Sequence, residues 1–159
     1  MAKKNEIQIV DYTSRYREAF ELLNREWINQ YFKVEANDEK LFSDPENQIV
    51  NKGGYIAVAL FDGQPCGVCA LVKSKFVEYD FELSKMAVSP KVQGKGAGYL
   101  LGQRIVEKAK ELGANTLFLE GNTRLEASIN LYRKLGFQAI EGRAGAYERC
   151  NIFMVLNFS

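Results

Sequence analysis

Apolar and polar residues alternate from Ile7 to Tyr12, the two-residue period of a half-buried strand. Phe20, Leu23, Trp27 and Tyr31 then recur at helical spacing, which predicts a helix from about Ser14, its N-cap, to Tyr31. Lys33 to Lys52 is charged and carries Asp44-Pro45, with Gly53-Gly54 just beyond, so it reads as a short helix within an irregular connection. Tyr55 to Phe61 and Cys66 to Val72 flank Asp62-Gly63-Gln64-Pro65 and predict a hairpin with glycine at its turn. Tyr79 to Val88 predicts a third antiparallel strand.

From Ala97 the period changes again. Leu101, Ile105, Ala109 and Leu112 share one helical face, and Gly113 stands where a C-cap glycine belongs. Thr116 to Leu119 is a short buried strand reached from the previous one through a helix, so the two should run parallel. Leu125 to Leu135 is the next helix, closed by Gly136. Phe137 to Ile140 and Ile152 to Phe158 complete the sheet around the turn-rich Gly142 to Ala146. The fold class is α/β in the mixed α+β sense, a mixed sheet with helices on both faces. The 159 residues fit one domain, 1–159, with no internal repeat.

Basic and acidic residues nearly cancel, 21 against 20, so bulk charge would hold the chain on neither nucleic acid nor an anionic membrane. Met1 to Glu6 leads into a strand without an apolar signal core, and no apolar run reaches membrane-spanning length, so a cytoplasmic location is expected. Cys66-Gly-Val-Cys69 is a CxxC string inside a strand, where residues three apart face opposite sides; small buried core residues are expected there rather than a redox pair. Histidine is absent, which removes Ser-His and Cys-His nucleophiles and the usual mixed zinc sites, and no metal is expected. Carboxylates, tyrosines and backbone dipoles are left to carry chemistry.

The most informative segment is Val88-Ser-Pro-Lys-Val-Gln-Gly-Lys-Gly-Ala-Gly98, a glycine-rich bend between a strand pattern and a helix pattern. Such a bend lets backbone N–H groups converge on phosphate, aided by the first-turn donors and dipole of the helix that follows. It is no P-loop, because Lys95 is followed by Gly96 and the upstream glycine is missing. It also departs from the dinucleotide fingerprint, since its GxGxG follows several strands.

Gln93-Gly-Lys-Gly-Ala-Gly98 resembles the pyrophosphate loop of the GNAT superfamily of acyl-CoA-dependent N-acetyltransferases, and Ser128-Ile-Asn-Leu-Tyr-Arg-Lys-Leu-Gly-Phe137 resembles that family's late helix-to-strand element. The likeness is clear from Tyr79 to Ile140 and thin between Tyr31 and Gly54, where the family shapes acceptor pockets. It implies a GNAT-type, mostly antiparallel sheet whose central parallel pair, here Tyr79 to Val88 and Thr116 to Glu120, splays at a bulge to admit the pantetheine arm of acetyl-CoA. Carried over by position, Met86 and Val88 would line the cofactor, with the Val88 N–H facing the thioester carbonyl; a developing oxyanion needs such a pre-aimed donor. Gln93, Gly94, Gly96 and Gly98, with the N–H groups of Lys95 and Ala97, would cradle the diphosphate. Lys95 would add charge, and Lys85 and Lys91 are weaker candidates near the other phosphate.

Glu82 lies six residues before Val88, where some members of the family place a general base, and even spacing puts both side chains on one sheet face. Free glutamate titrates near 4.3 and an alkylammonium near 10.4, so direct proton removal is uphill by about 8 kcal/mol without burial or a water relay. Tyr132 matches the tyrosine that in many members protonates the departing thiolate. Leu125 stands where many carry a pantetheine-contacting asparagine, and Asn122 or Asn130 is the nearby substitute; Asn122 is assigned to the cofactor.

The resemblance therefore implies an N-acetyltransferase that moves an acetyl group to a primary amine by direct transfer. A covalent path through Cys66, Cys69 or Cys150 would need an exposed, acidified thiol, and no covalent enzyme intermediate is expected. The acceptor is open among small-molecule amine, amino acid, peptide and protein amine. Trp27, Tyr31, Phe32 and Glu35 could border its pocket. The rival readings are a non-catalytic acyl-CoA sensor and a dinucleotide-binding enzyme. A homodimer is possible through Ile152 to Phe158.

Overall fold

The computed structural model describes residues 6–141 and 148–158. Among these residues seven strands form one sheet in the order β1-β2-β3-β4-β5-β7-β6: β1 Ile7–Asp11, β2 Tyr55–Phe61, β3 Gln64–Lys73, β4 Phe81–Val88, β5 Thr116–Gly121, β6 Gln138–Ile140 and β7 Ile152–Asn157. The α-helices α1 Arg17–Tyr31, α2 Ala36–Ser43, α3 Pro45–Gln48, α4 Ala97–Glu111 and α5 Glu126–Leu135 lie between them. Every pairing is antiparallel except β4 with β5, as the crossover through α4 requires. The turn-rich Gly142 to Ala146 lies outside the described residues.

Several element boundaries differ from the sequence reading for local reasons. Ser14 opens a 3₁₀ turn, Ser14–Tyr16, and caps no helix; α1 starts at Arg17. The buried line of α1 is Phe20, Asn24 and Ile28, one step round from the predicted stripe. The connection 33–52 holds two short helices and a 3₁₀ turn rather than one helix. Glu35 and Asp38 form a capping box at the start of α2, and Asp44 caps α3 ahead of Pro45. The hairpin turn is the pair Asp62-Gly63, both at positive φ, as a two-residue turn between right-twisted strands demands.

The two larger core clusters sandwich the sheet. One packs Leu101, Ile105 and Ala109 of α4 and Ile129 of α5 against Ala57, Cys69, Leu83 and Leu117; the other packs Phe20 and Ile28 of α1 and Phe42 of α2 against Ile56, Val58, Val68 and Ala87. The apolar residues of β7 are explained by its interior place between β5 and β6, where Phe153, Met154 and Val155 are buried. No helix among the described residues is long and apolar enough to cross a membrane.

Bulges change two parity arguments. The β2–β3 register shifts between Ala59 and Leu60, so Cys66 is an extra residue and joins Cys69 in the α4-side cluster. The two thiols thus share a face, contrary to the strict alternation expected, yet both are buried, free core residues as anticipated. In β4, Lys85 and Met86 together oppose Cys69, with Lys85 at φ +55°. Phe81 and Leu83 face α4 before this bulge, and Met86 and Val88 face it afterwards. Glu82 and Val88 therefore present their side chains to opposite faces, which overturns the even-spacing expectation.

Candidate active site

β4 and β5 pair only at Phe81 with Leu117 and Glu82 with Phe118, then separate. The separation follows from the bulge, which turns the second half of β4 away and leaves a gap between the strand ends. One cavity, about 80 Å³, lies in the gap on the α1 side and is lined among others by Asn24, Trp27, Glu82, Glu120 and Arg149. A second, more open cleft of about 330 Å³ runs from Met86 and Val88 over Gln93, Gly94, Gly96, Ala97 and Gly98. Trp27, Met86, Ser128 and Tyr132 line both, so these residues stand at the junction.

The bend before α4 has the form of an anion cradle. Gly94 and Gly96 sit at φ +82° and +81°, which residues with a Cβ adopt at a cost of about 1–2 kcal/mol, and nothing lies within 4 Å of where a Cβ would project. Gly96 caps α4 without a side-chain bond, leaving the first-turn amides without intrahelical acceptors. At Gly98 a Cβ would come within 3.3 Å of Leu131 Cδ2, so its absence lets α4 approach α5. The Lys95 amide differs from expectation: it donates to the Val92 carbonyl at 3.3 Å and closes the turn. Its ammonium lies 5.1 Å from the Phe61 ring centroid.

Ser89 N–H donates to the Cys66 carbonyl at 2.8 Å, and strand amides alternate in direction, so the Val88 N–H points away from β3 into the gap. Tyr132 is held by a Schellman turn in which the Phe137 N–H reaches the Tyr132 carbonyl at 3.0 Å and Gly136 takes φ +106°. Its hydroxyl makes no hydrogen bond among the described residues, and burial raises its pKa above the ordinary phenol value. Full proton donation from such a phenol to a thiolate, whose free value is near 8.5, is uphill, and hydrogen-bond stabilisation is favoured.

Glu82 stands in the α1-side cavity, with its pKa raised to about 7 by burial and then by the Glu120 carboxylate, against the opposing charges of Lys85 and Lys75. At that value the uphill step from an alkylammonium falls to about 5 kcal/mol. Burial also raises the pKa values of all three cysteines; Cys150, which lines the same cavity, is pushed up to about 12 by burial and then Glu120. None is an acidified thiol.

Asn122 lines the cavity, but its amide is engaged: Nδ2 donates to the Arg149 carbonyl at 2.6 Å and Oδ1 accepts from the Arg124 N–H at 2.8 Å. Leu125 also lines the cavity, whereas Asn130 is exposed and lines neither. Trp27 and Phe32 are wall residues, Tyr31 packs against Trp27, and Glu35 accepts from Arg149 at 3.1 Å.

Lys85 lines the α1-side cavity and not the glycine-rich cleft. Its ammonium donates to Asp38 at 2.8 Å, with both side chains almost fully buried, and Arg149 makes two 2.8 Å bonds to the same carboxylate. Burial pushes the Asp38 carboxyl up, but Arg149, Lys85 and the Glu35 amide together hold it below the ordinary carboxylate value. Asn24, Asp38, Ser128 and Arg149 were missed from sequence. The Glu35-x-x-Asp38 capping-box spacing was the one local signal for Asp38.

Residues 16–137 match the acetyltransferase (GNAT) family profile. An uncharacterised N-acetyltransferase of Bacillus subtilis, YvbK, is 35% identical over 117 residues, 67% of this chain and 74% of that protein. Escherichia coli YjgM, likewise described as an uncharacterised N-acetyltransferase, is 31% identical over 63% of this chain, and the match spans about half of its length, 51%. Among solved structures, a GNAT-family acetyltransferase of Staphylococcus aureus Mu50 superposes with a TM-score of 0.83 at 20% identity, over 96% of this chain and 99% of that one. YncA of Salmonella typhimurium, a putative acetyltransferase crystallised with acetyl-CoA, gives 0.77 at 21% identity over 97% and 95%.

Proposed function

Because the chain belongs to the GNAT acetyltransferase family, we propose that it forms one acetyltransferase domain that moves an acetyl group from acetyl-CoA to a primary amine in a single ternary complex. One arrangement carries this reading: the anion cradle, the inward-pointing Val88 N–H, Glu82 and Tyr132 all border one strand gap. The residues fit the coenzyme. Gln93, Gly94, Gly96, Gly98 and the α4 first-turn amides would hold its diphosphate, Met86 and Ser128 its arm, and the open faces of Gly94 and Gly96 leave room for it. When bound, acetyl-CoA supplies an acetyl group activated as a thioester.

The amine enters as an ammonium from the α1 side. Glu82 removes one proton, directly or through water, exposing the nitrogen lone pair. The nitrogen then bonds to the acetyl carbon as the carbon–sulfur bond breaks, and its second proton passes to solvent. The Val88 N–H donates to the carbonyl oxygen as negative charge gathers there. The Tyr132 hydroxyl donates a hydrogen bond to the departing thiolate, which then takes a proton from solvent to leave as the thiol. No cysteine has the thiolate character to interpose a covalent step.

Thiol release with acetyl-CoA and a broad amine panel tests the proposal, with formation of the N-acetyl product checked by mass. Tight acetyl-CoA binding without thiol release from any amine favours a sensor instead. Calorimetric binding of NADH in preference to acetyl-CoA refutes the coenzyme assignment.

A further inference from the structure

Building on the proposed transfer reaction, we infer that the acceptor is an amine with no carboxylate on its amine-bearing carbon, carried on an apolar or aromatic body, so that free α-amino acids are rejected. The polar groups of the α1-side cavity support this. Asn24 is 1% exposed, and its Nδ2 is committed to the Phe20 carbonyl at 2.9 Å. Asn24 belongs to the cavity wall, and its Oδ1, which can only accept, has no partner among the described residues. Glu82 and Glu120 add carboxylate acceptors, and Trp27 and Phe32 supply aromatic surface.

An incoming α-carboxylate would need a cation, and the cations lining this cavity are already claimed. Lys85 is bound to Asp38, and Arg149 is forked onto Asp38 and reaches Glu35. Arg124, outside the cavity lining, donates to the Tyr31 carbonyl at 3.2 Å and stacks 4.9 Å from the Phe32 ring centroid. A carboxylate beside ionised Glu82 would therefore add like charge without gaining a counter-ion, which is discrimination by repulsion.

Matched sets test it on the full chain: phenethylamine, phenylalaninamide and phenylalanine, each assayed for thiol release with acetyl-CoA and for binding by calorimetry. The amine and the amide should exceed the acid at least tenfold in kcat/KM and in affinity. Equal or better performance by the acid overturns the inference while leaving the transfer reaction intact. An amide as poor as the acid overturns it too, because steric exclusion of the α-substituent would then be the cause. If no thiol is released by any amine, the transfer reading fails, and the calorimetric ranking still decides this one. Asn24→Leu should raise the KM for phenethylamine at least tenfold while acetyl-CoA affinity is unchanged; an unchanged amine KM removes Asn24 from the recognition set.

Discussion

Lys85, bent to φ +55° at the centre of β4, is joined to Asp38 of α2 by a fully buried 2.8 Å ion pair. The bond ties the bulge that opens the strand gap to the start of α2, and Arg149 fastens the residues before β7 to the same carboxylate. Removing one partner of a buried pair leaves an uncompensated charge. Asp38→Asn, which removes the negative charge that Lys85 and Arg149 share, should therefore destabilise the fold by about 3–5 kcal/mol in urea unfolding. Lys85→Met, which leaves Asp38 with Arg149, should be milder; the reverse ranking would refute this account of the network.

The low Asp38 pKa gives the network a pH signature. A carboxylate depressed in the folded state contributes stability above its unfolded value, near 3.9, and loses it as pH falls through the folded value. Unfolding midpoints measured downward from pH 5 should fall more steeply for the wild type than for Asp38→Asn.

Glu82 has the opposite sign. With its folded pKa near 7, the native state holds a proton that the unfolded chain has already released between roughly pH 4.3 and 7, so stability declines as pH rises through that window, by up to about 4 kcal/mol. Glu82→Gln should flatten the decline. The same titration should appear as a rising limb of kcat/KM near pH 7, absent in Glu82→Gln, whose turnover should drop about 10²–10⁴-fold. Persistence of the limb in the variant would assign it to another group.

Gly96→Ala forces a Cβ onto φ +81° at the head of α4. The strain, about 1–2 kcal/mol, should lower the melting temperature by several degrees, and the Cβ on the open face of the cradle should weaken acetyl-CoA binding roughly tenfold in calorimetry. Undiminished affinity would place the diphosphate elsewhere.

Tyr132→Phe removes the hydroxyl but keeps the ring that packs edge-on against Phe137. Turnover should fall about 10–100-fold, consistent with loss of a charge-assisted hydrogen bond, while acetyl-CoA affinity holds. Equal losses in both would indicate a packing role.

Much of this arrangement was legible in the sequence because it is local. The Gly94 and Gly96 bend, the Gly113 and Gly136 helix ends and the Asp62-Gly63 turn each follow from backbone constraints within a few residues. The parallel pairing of β4 with β5 followed from the intervening helix. The bulges at Cys66 and Lys85 were not legible, because an extra residue is defined only against the partner strand, and so the facing of Glu82 relative to Val88 was misread. Asp38 and Arg149 are 111 residues apart, and nothing in either neighbourhood encodes their meeting. Asn24 sat inside a helical stripe read from apolar residues alone, which hides a polar side chain turned towards a cavity.

Trp27, the only tryptophan in the chain, stands on the wall shared by the two hollows. Intrinsic indole emission is consequently a label placed by the fold itself. Ligands arriving from either side alter its surroundings, so order of addition can be followed by stopped-flow fluorescence without attaching a dye.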